Sequence, residues 1–330
     1  MKKSLWIGLA LAAMSLVGLA AFPALAKTYR VSIGGGPTGG TFQYFANAIS
    51  VYVPKVAADI KMSPEGSGGS AENVKRINAG DFALGIAYAG DIYLGAMGQL
   101  PMDDKKYDKV RVMGYLYGAP AQLVVKKASG VKGAGDLAGK KVAVGNAGSG
   151  AALSAERFFR HLGVWEKIEP QFLGYSAAAA AFKDGKIDAF WVLVGYPNAS
   201  IIEAATQDEV ALVEVDAEAA ASGFYKAFPF YSPTVIPANT YSGQTEPVKT
   251  WQDGTLLVCG AGLDEALVYN IMKAVWSKEG LEYMVKAHKA AREMSIDSGF
   301  LGASRPLADG AAKFWTEQGK TIPDNLKPAK

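Results

Sequence analysis

Short apolar stretches alternate with amphipathic ones from Lys27 onward, which is the pattern of an α/β fold. Tyr29 to Ile33 alternates polar and apolar positions and runs into glycines, predicting a first strand. Phe42, Phe45, Ala46 and Ile49 recur at helical spacing and predict a helix over Phe42 to Val53. Ile60-Lys61-Met62 opens a second strand, followed by Gly66-Ser67-Gly68-Gly69-Ser70, a helix over Ala71 to Ala79, and a third strand over Ala83 to Ala87. Arg111 to Val125 is extended, interrupted by Gly118 and Pro120, and is expected to cross between two lobes. A second unit then repeats the scheme: Val142-Ala143-Val144, a glycine turn at Gly145 to Gly150, a helix over Ala151 to Leu162, a strand at Phe172 to Tyr175, a short helix over Ala177 to Phe182, and a strand over Ala189 to Val194. Around Phe228 to Pro237 the chain is expected to cross back, leaving one strand at Thr255 to Cys259 and several helices to complete the first lobe. The expected division is a leader at 1–26, a first lobe from 27–118 and 232–330, and a second lobe at 119–231.

The N-terminal stretch departs from this pattern. Met1-Lys2-Lys3 is basic, Leu5 to about Phe22 is apolar, and Pro23 precedes the small-residue site Ala24-Leu25-Ala26. These are the three parts of a secretory signal, with cleavage expected before Lys27; an uncleaved membrane anchor is the alternative. The cleavage point offers no cysteine for a lipid, and no later run approaches about 20 uninterrupted apolar residues. The expectation is a periplasmic mature chain without membrane spans.

Composition narrows the partners. Of 330 residues, 50% are hydrophobic and 20% charged, enough apolar material for two sizeable cores. The formal charge is +3 and falls to +1 when Lys2 and Lys3 leave with the signal. Such a balance lacks the concentrated basic field that nucleic acid requires. The single cysteine, Cys259, cannot form an internal disulfide, and Leu256-Leu257-Val258-Cys259 predicts a buried strand that shields the thiol.

The first glycine turn, Gly34 to Thr41, contains a literal G-x-G-x-x-G at Gly34, Gly36 and Gly39. Against a dinucleotide site stand Pro37, which removes one amide donor, and the lack of an acid at the end of the second strand: Asp59 precedes that strand and Glu65 is expected in the loop after it. No Gly-Lys-Ser/Thr closes the turn, so a P-loop is excluded. Helix physics supplies another reading. A helix start leaves backbone donors unpaired and carries partial positive charge, both suited to an anion. Thr38 and Thr41 add hydroxyls, and Ser67 to Ser70 and Gly145 to Gly150 repeat the recipe. Capping alone would explain Ser70 or Ser149, but three such turns in equivalent positions point to one shared anion site. Tyr88, Tyr175, Trp191 and Tyr196 lie at or near strand ends, where a pocket needs apolar bodies with polar tips; core packing is the competing role, above all for Trp191. Catalytic groupings are scarce. His161 and His288 both lie in amphipathic stretches, no residues have metal-ligand spacing, and Gly148-Ser149-Gly150 is no nucleophile elbow because positions 147 and 151 are alanine. A binding protein without cofactor or metal is expected rather than an enzyme.

The run Gly34 to Phe42 resembles the opening of the TAXI-type solute receptors of TRAP transporters. The resemblance continues, in order, through Gly66 to Asn73, Asp136 to Gly145, Gly148 to Gly150, Asp184 to Phe190 and Gly195-Tyr196-Pro197, covering nearly the whole mature chain. It implies a type II periplasmic-binding-protein fold, with two α/β lobes joined by crossing strands, that closes on a small anionic metabolite and docks onto the TRAP membrane permease. Ligands of that family include glutamate, 2-oxoglutarate and related carboxylates. The motifs carry over as contacts Gly39, Gly40, Thr41, Phe42, Ser67, Ser70 and Tyr88 in the first lobe, and Ser149, Gly150, Tyr196 and Pro197 in the second. Two departures stand out. Arg305-Pro306-Leu307-Ala308 occupies the place of a His-Pro-Gly-Ala run, and Glu65 puts an acid beside the cleft, disfavouring a doubly charged ligand. The sequence places no arginine in that cleft. An exported sensor signalling to a membrane kinase remains the alternative function.

Overall fold

The alternating stretch folds as β1 (Tyr29–Gly34), its apolar Val31 and Ile33 turned into the core. The structure, a computed structural model, describes residues 27–100 and 103–328, so the secretory leader expected at 1–26 lies outside the described residues. α1 (Thr41–Val56) buries the stripe Phe42, Phe45, Ile49 and Val53, as its 3.6-residue period requires. β2 (Ile60–Glu65), α2 (Ser70–Ala79), β3 (Leu84–Tyr88) and α3 (Ala89–Met97) follow, and then β4 (Val110–Lys126), 17 residues long. The second unit contains β5 (Lys141–Ala143), α4 (Gly150–His161), β6 (Glu169–Gln171), α5 (Tyr175–Lys183), β7 (Ala189–Leu193), α6 (Ala199–Ala204), β8 (Val210–Val213), α7 (Asp216–Ser222) and α8 (Phe224–Ala227). β9 (Tyr231–Ile236) and β10 (Val248–Gly260) precede α9 (Glu265–Val275), α10 (Lys278–Ala287) and α11 (Asp309–Glu317).

One curled sheet runs β2-β1-β3-β10-β4-β7-β5-β6, with β8 beside β4 and β9 beside β10. The parallel pairs β1–β2, β1–β3, β5–β6 and β5–β7 are the α/β units of the two lobes. β4 and β10 thread through both. β4 pairs with β10 from Val110 to Pro120, then with β7 from Ala121 to Val125. β10 pairs with β9 over Val248 to Asp253, then with β3 over Thr255 to Cys259. Two lobes joined by two crossing strands result.

The strands differ from expectation in five places, one of them β8, which the sequence reading does not foresee. The return crossing is made by β10, not by the stretch around Phe228 to Pro237, which forms β9 and lies antiparallel against it. β10 begins at Val248, seven residues before the expected Thr255, because the polar run Gln252-Asp253 conceals a strand whose Asp253 is buried. Phe172 to Tyr175 is no strand: Phe172 is half exposed, Gly174 caps α5, and Tyr175 opens that helix. Glu65 is not in a loop but is the last, exposed residue of β2.

The second lobe is built on a cluster of closely packed, mutually tilted aromatic rings. Trp191 and Trp251 lie 5.5 Å apart, and Tyr231 lies 4.4 Å from Trp251, with Phe158 and Phe224 completing the cluster. The aromatic packing therefore continues past residue 232, through β9 and the first half of β10. In the first lobe α9 and α11 pack beside β4, where Trp315 Nε1 donates to the Met113 carbonyl at 2.7 Å. Cys259 is fully buried, and burial pushes its thiol up to about 12, leaving it inert. The Arg305 stretch lies at the outer start of β4: Val112 donates to the Pro306 carbonyl and Ala308 to that of Val112. Among the described residues no helix is long and apolar enough to cross a membrane.

Candidate functional site

The loops after β1, β2, β3, β5 and β7 meet where the lobes face, beyond the carboxyl ends of the parallel strands. α1, α2 and α3 begin at Gly40, Gly69 and Tyr88, none of which caps its helix with a side chain, so the first-turn amides of three helices of the first lobe look to their surroundings for acceptors. α4 is different. Ser149 Oγ accepts from Ala152 N at 3.1 Å and closes that start internally.

Gly150 shows how tightly the lobes meet. A Cβ there would stand 2.4 Å from Asp91 Oδ2, 2.7 Å from the Tyr88 ring and 2.8 Å from Ser70 Cβ, all in the opposite lobe. Only glycine allows α4 to approach α2 and α3 this closely. Thr41 Oγ1 lies 3.4 Å from the Gly195 carbonyl, and Asn198 Nδ2 donates to the Gly39 carbonyl at 3.0 Å. The hydroxyls of Tyr88 and Tyr175 both donate to the Leu193 carbonyl. Burial is the main reason both phenols are held well above their usual range, so they remain donors.

A charged group adjoins these hydroxyls. Arg157, on the inner face of α4, donates to Asp91 Oδ1 and to Tyr231 Oη, each at 2.9 Å. Asp253, on β10, accepts from Gly90 N at 3.2 Å. Asp91 and Asp253 are each 1% exposed, and the second oxygen of each has no partner among the described residues. Burial holds Asp253 well above the usual carboxylate range, and the charge of Asp91 adds to it. The Tyr117 hydroxyl lies beside those of Thr255 and Thr41, yet neither Tyr117 Oη nor Thr255 Oγ1 completes a hydrogen bond.

Of the eleven residues singled out from sequence, Gly39, Gly40, Thr41, Phe42, Ser70, Tyr88, Ser149 and Gly150 lie along this seam. The Phe42 and Tyr88 rings stand 4.8 Å apart, and Ser70 Oγ accepts from Tyr88 N at 2.8 Å. Ser67 instead braces the two glycine turns, donating to the Gly35 carbonyl and accepting from Gly69 N. Tyr196 and Pro197 are half-buried near the hinge, Tyr196 within the field of Glu293 and Pro197 beside His288. Trp191 lies in the aromatic core and donates to Ser154 Oγ. Sequence reasoning missed Asp91, Tyr117, Arg157, Asp253 and Thr255. One signal was available: Gly150, Ser154 and Arg157 recur at helical spacing on the face of α4 that begins at the glycine turn.

The model of the NMT1-like family matches residues 33–319. In fold the chain is similar to MatC from Rhodopseudomonas palustris, solved with bound malate, with a TM-score of 0.52 and 18% identity over 90% of this chain and 97% of that one. It is similar to the periplasmic binding protein BugD, with a TM-score of 0.51 and 13% identity over 78% of this chain and 87% of that one. A protein of Bordetella bronchiseptica RB50 gives a TM-score of 0.50 and 16% identity, covering 91% of each chain. The architecture is that of the periplasmic binding proteins.

Proposed function

The chain belongs to the NMT1-like family, and from that premise we propose that it is an exported solute receptor that closes two lobes on a small carboxylate and presents it to a membrane transporter. The observation that carries this reading is the meeting of glycine-rich helix starts from both lobes at one seam, with Gly150 set against Ser70 and Tyr88. Uncapped amides at α1 and α2, together with the Thr41 hydroxyl, suit a carboxylate. The lobe contacts described above are those of a closed state. A ligand that binds closed better than open shifts the population toward it by the difference in affinity.

The finer assignment is a receptor of the TAXI type serving a TRAP permease in the periplasm, with glutamate, 2-oxoglutarate or a similar acid as cargo. Its support is the ordered set of motifs from Gly34 to Pro197. The binding residues proposed are Gly39, Gly40, Thr41, Phe42, Ser70, Tyr88 and Gly150, with Ser67, Ser149, Tyr196 and Pro197 shaping the loops around them.

A thermal-shift screen against small carboxylates, malate among them, tests this reading. A ligand at about 100 times its dissociation constant stabilises by roughly 2.7 kcal/mol. Stabilisation by one acid, recovered unchanged afterward, is the expected result; chemical conversion of that acid would instead make the protein an enzyme. A panel without response would overturn the carboxylate assignment.

A further inference from the structure

We propose that His288 is a proton-sensitive clasp between the lobes: its neutral ring joins the C-terminal part of the first lobe to the loop after β7, and acidification opens the protein by undoing that joint. The clasp acts on closure whatever the ligand, and so rests on the two-lobed receptor reading alone.

The ring stands where three segments meet. α10 ends at Ala287, and a short 3-10 turn follows at Lys289–Glu293. His288 caps that turn, its Nδ1 accepting from Ala290 N at 3.1 Å. From the second lobe, the Pro197 carbonyl accepts from the ring. Tyr44 and Phe45 of α1 flank it, with ring centroids 5.6 and 6.2 Å away. The loop that carries Pro197 is seated on the same turn. A Cβ on Gly195 would stand 2.7 Å from Ala290 Cβ and 3.2 Å from the Tyr117 ring, so glycine is needed for this approach. The turn is held in its place at the strand crossing, where Glu293 accepts from Gly118 N at 2.8 Å and from Tyr115 Oη at 2.9 Å, both on β4.

These contacts fix the protonation state. An amide only donates, so Nδ1 must be bare and the ring proton lies on Nε2, toward the carbonyl. A neutral imidazole meets one donor and one acceptor with one of each. A proton on Nδ1 would set two N–H groups head to head and break the cap. Burial also favours the neutral form, lowering the ring to about 4 against a smaller upward pull from Pro197. When the lobes part, the loop leaves, the ring meets water, and its pKa returns toward the ordinary value of about 6.5. Between these two values the open state binds a proton that the closed state refuses, so falling pH draws the equilibrium toward open. A receptor with this clasp holds its ligand at neutral pH and yields it in an acidified compartment.

The neighbouring titratable groups do not produce the same effect. Tyr44 faces the ring from α1, and Tyr196 precedes Pro197 on the second-lobe loop. Tyr196 is raised by burial and by the charge of Glu293, and keeps its proton. Lys289 and Arg292, on the turn, are exposed. Glu293 and Asp253 are raised by burial, so acid favours their buried forms and works toward closure. Opening at acid pH is the signature of the histidine.

Small-angle X-ray scattering of the purified protein at pH 7 and pH 5, without ligand, tests the clasp, with far-ultraviolet circular dichroism reporting that the fold is intact. The radius of gyration of the parent is expected to rise at pH 5. His288→Asn keeps a side-chain acceptor for the turn but takes up no proton, and should be equally compact at both values. A parent with the same radius at both, or a variant that expands as much as the parent, overturns the proposal; the receptor reading, tested separately by the ligand screen, stands. Nuclear magnetic resonance titration of the ring protons gives a second measurement, His161 being identified by its loss in His161→Gln. His288 should titrate near 4 in the parent and shift toward about 6.5 in Gly195→Ala, whose methyl pushes the loop off the turn. An ordinary value in the parent, or a value near 4 in both proteins, overturns the proposal as well.

Discussion

Arg157 on α4 donates to Asp91 Oδ1 on α3 at 2.9 Å, joining the two lobes through a bond whose side chains are only 8% and 1% exposed. Removing one partner of such a pair leaves the other charge buried and costs about 3–5 kcal/mol. Because the partners belong to different lobes, the cost can be relieved by opening rather than unfolding. Arg157→Met is therefore expected to give a larger radius of gyration in small-angle X-ray scattering, with an unchanged far-ultraviolet circular dichroism spectrum. A variant as compact as the parent would show that the pair does not hold the lobes together.

Gly150 is the steric counterpart of that electrostatic contact. A methyl group at this position would overlap Asp91, Tyr88 and Ser70 at 2.4–2.8 Å, all across the seam. Within its own lobe α4 tolerates alanine, the best helix former. Gly150→Ala should keep the melting temperature of the second lobe but fail to close, with ligand affinity reduced by an order of magnitude or so, as the competent state becomes scarce. Titration calorimetry beside differential scanning calorimetry separates the two effects. Intact affinity would mean that the seam repacks around the added methyl.

Tyr88 and Tyr175 come from opposite lobes, and both donate to the Leu193 carbonyl. Either hydroxyl satisfies that carbonyl alone, so each single change to Phe should cost no more than about 1 kcal/mol. The double change strips the buried carbonyl of both donors and should cost more than the sum of the singles. A double-mutant cycle by urea denaturation reads this coupling directly. Strict additivity would place the two hydroxyls in independent environments.

The strands and glycine turns were legible in the sequence because their signals are local: period two in Tyr29–Gly34, period 3.6 in Thr41–Val56, and glycines where the backbone must turn. The charged group of the seam was not. Arg157 follows Glu156 on an amphipathic helix and looks like half of a surface ion pair, yet Glu156 pairs instead with Arg160 and Arg157 turns inward. α3 escaped notice because Gly90 and Gly95 weaken its helix signal, and Asp91 was lost with it. Asp253 lay in a polar run that hid the first half of β10. A buried charge is visible in a sequence only when its partner is near in sequence, and here the partners are 66 residues apart or more. Gly39, Thr41, Ser70 and Gly150 could be singled out as seam residues because a glycine-rich helix start carries its own chemistry; Tyr196 and Pro197 came from the ordered motifs.

The pH dependence of stability gives the most direct reading of Asp253. Burial, and then the charge of Asp91, raise its folded-state pKa well above the ordinary carboxylate value. The folded protein therefore holds a proton that the unfolded chain releases above a pH of about 4. Where the folded state binds more protons, stability falls as pH rises. The contribution of Asp253 is complete below that pH and is lost progressively toward its raised folded value. Asp253→Asn cannot ionise and lacks this slope. Compared by urea denaturation across pH 4 to 8, the variant should gain on the parent as pH increases, with the difference levelling off once the folded carboxyl ionises. Glu293, also raised by burial, contributes a slope of the same sign in both proteins and cancels in the comparison. His288, lowered by burial to about 4, contributes the opposite slope and cancels likewise. A difference that stays flat across this range would mean that Asp253 is ionised in the folded protein, with its charge balanced by Arg157.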